Sequence, residues 1–523
     1  MSKNRTFIAI LFMLGLSVLG LVLLRRGEPV PTNTGPDGSP RAAADQEVLQ
    51  LFCAAGMKMP VAELAKAFEA KYGCRVQIQY GGSGTLLSNL QVAQQGDLYI
   101  AADSSYTDIA HEKGLIDETL PLAYIRPVIA VPTGNPLGLQ TTADLTRPGL
   151  RLALGNPDAA SIGKQTRTTL EAAGLWDAVK ARVEADGVFK PTVPEVANDV
   201  KLGAVDAAVI WDATVAQYTG LEAVHTPEFD AARKEITVAI LKTSAKPTLA
   251  LRFARYLNST EGNAVFRAHG YESVDGDTWE WAPEITFFAG AVNRRAVEDV
   301  VHAFEKREGV TVNTVYNGCG ILTAQMDAMG EGGAGFPDTY MACDTYYMDT
   351  VIDWFQDDTV VSEAAIVIVT PKNNPAGIKT LADLARPGVR VSLGQPKQCT
   401  IGVLSERLLV SQGIKDAVAA NVVAQMPSSA MLVPSVVTGA ADATLAYRTD
   451  AMAQREQVTI IAIDAPLAKA VQPFGVAKSS SYKHLGHRLF QRIVSARAAF
   501  EDAGFVYRYD GPGAAPASVG ERP

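Results

Sequence analysis

The sequence has few of the features by which most alternative classes of protein are recognised. Charged residues make up only 20% of its 523 positions and the net charge is −9, which argues against a broad basic face for nucleic acid. Five cysteines in a chain of this length exclude a disulfide scaffold. The motifs GxSxG, HExxH and CxxC and the Walker phosphate loop are all missing. What remains is the composition of a globular protein without a catalytic signature.

One long apolar run stands at the N-terminus, where Phe7–Leu24 contains no charged residue and is followed by Arg25. Its eighteen residues are at the lower limit for a membrane-spanning helix. We interpret residues 1–26 as an uncleaved signal anchor, and the alternative is a signal peptide that is cleaved near Ala42–Ala44. Both interpretations predict that the bulk of the protein lies outside the cytoplasm, in the periplasm or at the cell surface. The first adds a single-pass attachment to the cell membrane.

Most of the remaining chain consists of two segments that match each other block by block. YGGSGTLL, which contains Ser83, matches YNGCGILT, which contains Cys319, 236 positions later. GAVDAAVIW and GAADATLAY, which end at Trp211 and Tyr447, match at the same offset. Three further blocks match between the two segments, in the same order and at nearly the same offset. This pattern indicates a tandem duplication. The predicted segments are the signal anchor 1–26, a Pro- and Gly-rich spacer 27–46, module 1 at 47–270, a linker 271–282, module 2 at 283–507 and a tail 508–523.

Within each module, short apolar runs alternate with amphipathic helical ones. In module 1, VLQLFCAA precedes PVAELAKAFEAKYG, and VQIQYG precedes GTLLSNLQVAQQ. This alternation predicts an α/β fold made of βαβ units with parallel sheets, and each module is long enough for two such lobes. Because ligands of these folds bind where strands end and helices begin, the site residues are expected at those turns.

The turns of module 1 are small and rich in glycine and serine. Ser83 stands between Gly82 and Gly84, where the backbone can approach a ligand closely and the hydroxyl can donate to an oxyanion. The alternative is that Ser83 only caps the helix that follows. These turns favour an anion as the ligand, bound by N–H groups and hydroxyls at helix N-termini.

Each module resembles the extracytoplasmic molybdate-binding proteins of ABC importers, which have the type 2 periplasmic-binding-protein fold. The motifs that carry the resemblance are FCAAG, YGGSGTL, GDLYIAAD, GNPDAASIG and VKLGAVDAAVIW. The resemblance implies two tandem modules, each with a ligand cleft between two βαβ lobes. It also implies that neutral donors hold a tetrahedral oxyanion such as molybdate or tungstate. An ABC importer permease is then the expected partner, and neither a cofactor nor catalysis is expected.

The resemblance also assigns ligand-binding positions. In module 1 they are Gly56, Ser83, Ala102, Ile162, Val193 and Trp211. The family has a serine at the position of Gly56, so one hydroxyl is missing here, and it has a tyrosine at the position of Trp211. The indole N–H can donate as a phenol does, but from a larger ring. These two substitutions leave the family assignment intact and the identity of the oxyanion open.

Module 2 departs from the family at the same turns. The matching positions, together with one further cysteine, are Val292, Cys319, Cys343, Cys399, Ile401 and Tyr447. We interpret the three cysteines as thiols that converge on the second cleft, and the alternatives are a disulfide between two of them and unrelated burial. Cys319, at a helix N-terminus, is expected to ionise more readily than an ordinary thiol. Thiolates would repel molybdate and suit a soft ion such as Cu(I), Zn(II) or a trivalent metalloid. The alternative function is a thiol-dependent oxidoreductase or a metal-dependent catalyst.

Overall fold

The chain divides into two units between Ala282 and Pro283 in the computed structural model, which describes residues 47–511. Each unit is an α/β module of two lobes, as predicted. The predicted signal anchor and spacer (1–46) and the end of the predicted tail (512–523) lie outside the described residues. Within 47–511, no helix combines the length and the apolar character needed to cross a bilayer.

The elements of module 1 alternate as the sequence pattern predicts. Its strands are β1 (Val48–Ala54), β2 (Arg75–Gly81), β3 (Leu98–Ala101), β4 (Ile116–Ile125), β5 (Pro127–Pro132), β6 (Leu152–Gly155), β7 (Val188–Lys190), β8 (Ala207–Trp211), β9 (Leu221–Val224), β10 (Lys234–Leu241) and β11 (Glu272–Ser273). Its α-helices are α1 (Lys58–Tyr72), α2 (Ser83–Ala93), α3 (Ser104–Glu112), α4 (Ser161–Ala172), α5 (Trp176–Asp186), α6 (Val193–Lys201), α7 (Asp212–Ala216), α8 (Pro227–Asp230), α9 (Pro247–Asn258) and α10 (Thr260–Ala268). Short 3-10 helices lie at Ala55–Met57 and Thr142–Thr146.

The strands of module 1 form two sheets, one in each lobe. The orders are β11-β4-β10-β3-β1-β2 and β7-β6-β8-β5-β9. β1 is parallel to β2 and β3, whereas β10 is antiparallel to β3 and β4. The prediction of parallel sheets is therefore correct only for the βαβ part, because a strand that returns from the other lobe enters in the opposite direction. We call residues 47–125 and 234–282 lobe A of module 1, and residues 126–233 lobe B.

The first βαβ unit shows how the sequence brings its turns to one edge. Gly73 ends α1 with a φ of +67°, a left-handed conformation that favours glycine. Glu69 Oε1 then accepts from the Val76 N–H at 2.6 Å and ties the end of α1 to β2. The parallel register pairs Ala54 with Gly81, so the turns after β1 and β2 open side by side.

The segment 271–282, predicted as a linker, belongs to module 1 instead. The Trp281 ring is 8% exposed and stacks on Tyr72 of α1 with the ring centroids 4.6 Å apart. Trp279 Nε1 donates to the Tyr72 hydroxyl at 2.6 Å, and β11 pairs with β4. The linker prediction was wrong because these aromatic side chains bury apolar area that a free linker would expose.

Module 2 repeats the plan of module 1. Its strands are β12 (Glu284–Gly290), β13 (Thr311–Asn317), β14 (Thr339–Met341), β15 (Phe355–Pro371), β16 (Val391–Gly394), β17 (Val422–Met426), β18 (Ala443–Tyr447), β19 (Val458–Ala462), β20 (Lys469–Ala477) and β21 (Val506–Tyr507). Its α-helices are α11 (Arg294–Glu308), α12 (Cys319–Met329), α13 (Thr345–Asp349), α14 (Thr400–Ser411), α15 (Lys415–Ala419), α16 (Leu432–Val437), α17 (Arg448–Met452), α18 (Lys483–Ser495) and α19 (Arg497–Ala503). Short 3-10 helices lie at Ala291–Asn293, Ile352–Trp354, Leu381–Ala385 and Ser429–Met431.

The two lobes of module 2 share the long strand β15. It pairs with β20 up to Ala365 and with β18 and β19 from Ile366 onward, so one connected strand path runs through both lobes. We call residues 283–365 and 469–511 lobe A of module 2, and residues 366–468 lobe B. The Arg508 N–H donates to the Val361 carbonyl at 2.9 Å, so the fold continues past the predicted boundary at 507.

Candidate functional site

A pocket lies between the two lobes of module 1, where strands end and helices begin. It is lined by Ala54, Ala55, Gly56, Gly81, Gly82, Ser83, Ala102, Ala160, Ser161, Ile162, Thr192, Val193 and Trp211. The structure thus brings together all six positions that the sequence assigned in module 1. Their contact with a ligand stays a prediction.

Ser83 is the first residue of α2 and is almost fully buried. Its hydroxyl oxygen accepts from the Ala102 N–H at 3.1 Å, and its carbonyl accepts from the Tyr99 hydroxyl at 2.8 Å. The N-cap of α2 is Gly82, and no side chain caps this helix. Ser83 is therefore not the capping residue that the alternative interpretation predicted. Since the Ser83 oxygen is fixed as an acceptor, its own proton is left to donate into the pocket.

The pocket combines helix N-termini with a lining that contains no charged side chain. None of its lining residues is Asp, Glu, Lys or Arg. Three helices begin there, α2 at Ser83, α4 at Ser161 and α6 at Val193. The first N–H groups of a helix have no partner within the helix and carry the positive end of its dipole. The lining therefore suits an anion that is held by neutral donors.

The closeness of Gly56 to Val193 explains why module 1 lacks the serine hydroxyl that the family has at this position. A β-carbon on Gly56 would lie only 3.0 Å from Val193 Cγ1 and 3.9 Å from Trp211 Cδ1. The Gly56 carbonyl accepts from the Tyr271 hydroxyl at 2.6 Å, which holds this turn against the core of lobe A. The volume that a serine would need is therefore partly occupied by the valine from the other lobe.

Ser161 is a pocket residue that the sequence analysis did not single out. Its hydroxyl, in lobe B, donates to the Asp103 carboxylate in lobe A. Asp103 is 1% exposed and also accepts from the Ser105 N–H at 2.9 Å as the N-cap of α3. The signal was available, because Ser161 opens a helix after a strand-end turn as Ser83 does. This hydrogen bond links the two lobes beside the pocket.

The lobes of module 1 also touch through their backbones. The Gly84 N–H donates to the Ala159 carbonyl at 3.1 Å across the cleft. A β-carbon on Gly82 would collide with the carbonyl oxygens of Ala159 and Pro191. Gly82 has an ordinary negative φ, so glycine is required here for close approach and not for backbone freedom. Module 1 is described in a closed conformation.

In module 2, Cys319 and Cys343 lie side by side in lobe A. Their sulfur atoms are 2.6 Å apart, and the Cys343 N–H donates to the Cys319 sulfur at 3.0 Å. Cys399 lies in lobe B, and its thiol is directed at the Met426 carbonyl at 3.5 Å. Within residues 47–511, no three His, Cys, Asp or Glu side chains are arranged to hold a metal ion. The third thiol faces a carbonyl of its own lobe, and metal binding by the three cysteines stays a prediction.

The space for the cysteine pair comes from a neighbouring substitution. Gly290 occupies the position that Ala54 has in module 1. A β-carbon on Gly290 would collide with the Cys343 sulfur and lie 2.8 Å from the Cys319 sulfur. The remaining predicted positions of module 2 are buried in the same core and are Val292, Ile401 and Tyr447.

Three hydroxyls of this region are buried without a satisfying hydrogen-bond partner among the described residues. They belong to Tyr340, Thr400 and Tyr447. The hydroxyls of Tyr340 and Thr400 face the Cys319 sulfur. In module 1 the counterpart of Tyr340, Tyr99, is satisfied by a backbone carbonyl at 2.8 Å. The polar groups around Cys319 are therefore free to stabilise charge on its sulfur.

Burial acts on all three thiols of module 2, with different results. It raises the pKa of Cys343 well above its ordinary value and raises the pKa of Cys399 to about 11. Burial also acts to raise the pKa of Cys319, but the neighbouring polar groups of Cys343, Tyr340 and Thr400 outweigh it and leave that pKa lowered. The pair therefore combines a readily ionised sulfur at the start of α12 with a protonated partner.

Two lobes per module, a cleft between them and neutral donors at helix N-termini define a two-lobed solute-binding protein. The family described as bacterial extracellular solute-binding protein matches residues 49–272 and, separately, residues 285–506. The chain belongs to this family. It is accordingly a solute-binding protein of the extracellular class.

Several curated relatives are similar to about half of the chain. The molybdate-binding protein ModA of Mycobacterium tuberculosis (strain ATCC 25618 / H37Rv) is 26% identical over 258 residues, which cover 49% of this chain and 93% of the relative. ModA of Escherichia coli (strain K12) is 25% identical over 239 residues, 44% of this chain and 91% of the relative. Since each relative spans about one module, the chain is a tandem duplicate of a module similar to molybdate-binding proteins.

Two solved structures match the chain over a similar length. The periplasmic molybdate-binding protein of Azotobacter vinelandii has a TM-score of 0.38 and 20% identity, and the match covers 43% of this chain and 98% of that one. The substrate-binding domain of a putative molybdenum ABC transporter from Clostridium difficile has a TM-score of 0.35 and 22% identity, over 44% of this chain and all of that one.

Proposed function

We propose that this protein is the solute-binding component of an ABC importer and that the cleft of module 1 binds a tetrahedral oxyanion of the molybdate or tungstate type. The observation that carries the proposal is a buried pocket without charged side chains at the N-termini of α4 and α6. An oxyanion is stabilised there by N–H and O–H donors. The similarity to molybdate-binding proteins supports this class of ligand.

Ser83 is the side-chain donor of the proposed site. Its oxygen is held by the Ala102 N–H, and its proton is directed to the ligand. The proton of Ser161 is engaged by Asp103, so on that side the N–H groups of α4 supply the donors. A hydrogen bond to a charged group contributes about 1.5–3 kcal/mol. The loss of the Ser83 hydroxyl is therefore expected to weaken binding at least about tenfold.

Lobe closure supplies the signal to the importer. The bonds from Gly84 to Ala159 and from Ser161 to Asp103 form only when the lobes meet. A ligand that contacts both lobes favours the closed form by its differential affinity. In this proposal the permease receives the closed form, and residues 1–26 keep the protein at the membrane where that permease lies.

Calorimetric titration of the full-length chain in detergent tests the proposal, with molybdate, tungstate, sulfate and phosphate as ligands. Wild type and Ser83→Ala are compared, and Ser88→Ala serves as the matched control. Ser88 lies in the same helix, and its hydroxyl donates to the Gly84 carbonyl at 3.0 Å without lining the pocket. Wild type and Ser88→Ala should bind molybdate or tungstate alike, and Ser83→Ala should bind at least about tenfold more weakly.

Two results would overturn the proposal. If no oxyanion binds to a folded chain, the ligand class is wrong. If Ser83→Ala and Ser88→Ala bind equally well, the module 1 pocket is not the site. Preferential binding of sulfate or phosphate would keep the oxyanion class and exclude the molybdate type.

A further inference from the structure

The cleft of module 2 contains two sulfur atoms in contact at the point where module 1 has its serine donor. Cys319 takes the place of Ser83, and the Cys343 N–H donates to the Cys319 sulfur as the Ala102 N–H donates to Ser83. Gly290 makes the room for both sulfurs. Three independent substitutions therefore combine to place a dithiol in the second cleft.

We propose that Cys319 and Cys343 form a thiol–disulfide exchange site, in which Cys319 attacks, Cys343 resolves, and small organic disulfides are the substrates. Cys319 begins an eleven-residue helix, so its thiolate lies at the positive end of a helix dipole. The unsatisfied hydroxyls of Tyr340 and Thr400 face the same sulfur and can donate to it. Cys343 is the thiol in contact with it. The proposal does not depend on what module 1 binds.

The exchange balances in two steps. The Cys319 thiolate attacks one sulfur of a disulfide RSSR, the S–S bond breaks, and the first RS⁻ leaves and takes up a proton from solvent. Cys343 then loses its proton to solvent and attacks the Cys319 sulfur of the mixed disulfide, which releases the second RS⁻ as RSH. Two protein thiols are oxidised to one disulfide, and one external disulfide is reduced to two thiols.

Lobe opening controls access to this pair. Cys319 is fully buried and Cys343 is 4% exposed in the described conformation. The Tyr347 hydroxyl of lobe A donates to the Pro396 carbonyl of lobe B at 3.1 Å, and a β-carbon on Gly318 would collide with the Gln398 carbonyl. A disulfide reaches Cys319 only when these contacts separate, so closure of module 2 protects the dithiol.

The test uses the full-length chain, reduced and desalted under inert gas and then exposed to oxidised glutathione. Acid quenching, alkylation and peptide mass mapping identify the products. Wild type should form the Cys319–Cys343 disulfide without a lasting adduct, and Cys343→Ser should trap one glutathione on Cys319. Cys319→Ser should form neither product. Cys399→Ser, a buried thiol of the same module outside the pair, is the control and should behave as wild type.

The relative rates of glutathionylation provide a second test of the proposal. In Cys343→Ser, glutathionylation of Cys319 should be at least about tenfold faster than that of Cys399, because the Cys319 thiol is the one that ionises readily. Thermal melting checks that each variant is folded, and Cys343→Ala provides a second resolving-thiol variant. The proposal would be overturned if Cys343→Ser and Cys343→Ala are both folded and neither traps a glutathione adduct on Cys319. It would also be overturned if the disulfide formed in the wild type includes Cys399. A thiophilic metal found by elemental analysis and lost in Cys399→Ser would assign the three thiols to a metal site instead.

Discussion

The Cys343 N–H donates to the Cys319 sulfur at 3.0 Å, and the Ala102 N–H donates to the Ser83 oxygen at 3.1 Å in the same place of the first module. The backbone arrangement of the site was thus retained after duplication, while the atom at its centre changed from oxygen to sulfur. In module 1 this arrangement leaves a proton for an anion. In module 2 the same N–H donates to a sulfur, and a thiolate at this position would repel an anion. The two clefts are therefore expected to do different chemistry on one scaffold.

Ser161→Ala is expected to weaken oxyanion binding by about fivefold or more, although Ser161 does not donate to the ligand in our proposal. The substitution leaves the buried Asp103 carboxylate without its partner from lobe B, and this cost of about 1–3 kcal/mol falls on the closed form. Calorimetry measures the affinity. Thr168→Ala in the same helix, whose exposed hydroxyl donates to the Lys164 carbonyl, is the control and should bind as wild type. Equal affinities for both variants would remove the lobe bridge from the explanation.

Gly82→Ala is expected to prevent closure of module 1 without unfolding it. The added methyl collides with the Ala159 and Pro191 carbonyl oxygens only when the lobes are together. Small-angle X-ray scattering with molybdate should show compaction of the wild type and not of the variant, and the melting temperature without ligand should change little. A variant that still compacts and binds would contradict the close approach described for this glycine.

Much of the fold was predictable because the duplication presents each sequence block twice, once in each module. A run such as VLQLFCAA is ambiguous alone, but its match with EITFFAG after a nearly fixed offset indicates the same strand twice. The positions that the family resemblance assigned are six of the thirteen residues of the pocket. Ser161 was missed because the choice of positions followed the family's contacts and not the hydroxyls at helix starts.

The errors came from interactions between segments distant in sequence. The antiparallel direction of β10 follows from the return of the chain from lobe B, which no local pattern encodes. The burial of Trp281 depends on its stacking with Tyr72, more than 200 positions away. The contact of the Cys399 thiol with the Met426 carbonyl could likewise not be predicted from sequence spacing. A strand-to-helix turn places a residue at the edge of the cleft but does not determine the direction of its side chain.

Gly56→Ser restores the serine of the family but is expected to bind oxyanion poorly by itself, because its β-carbon meets Val193 Cγ1 at 3.0 Å. The double variant Gly56→Ser/Val193→Ala removes the obstacle and should bind more tightly than Gly56→Ser. Calorimetry on both single variants and the double variant gives the coupling, expected at about 0.5–3 kcal/mol for residues in contact. Additive effects of the two substitutions would show that Val193 does not exclude the serine.

Trp281→Ala is expected to destabilise module 1 by about 3 kcal/mol, since truncation of a buried aromatic in a core costs about 3–5 kcal/mol and Trp281 retains some exposure. Urea unfolding with separate probes in the two modules should shift only the transition of module 1. Glu280→Ala, on the preceding residue, is the control. An unchanged transition would return the segment 271–282 to the role of a linker.

Asp450 is expected to make module 2 less stable as the pH rises. Its Oδ2 is buried without a partner among the described residues, and burial raises the pKa of this carboxyl from 3.8 to about 6 despite Ser429 and Arg295. Between these two values the folded state binds the proton that the unfolded state has lost, so stability falls as the pH increases from about 4 to about 6. The penalty is fully present at pH 7 and amounts to about 2–3 kcal/mol. Asp450→Asn should therefore stabilise module 2 at pH 7 and remove this slope, as measured by urea unfolding from about pH 4 to about pH 7.5.

Asp442→Asn provides the opposite case, because the Arg390 guanidinium lowers the pKa of Asp442. The loss of this ion pair should destabilise the module at neutral pH. If Asp450→Asn is less stable than wild type at pH 7, the buried carboxylate is compensated by interactions that outweigh its desolvation.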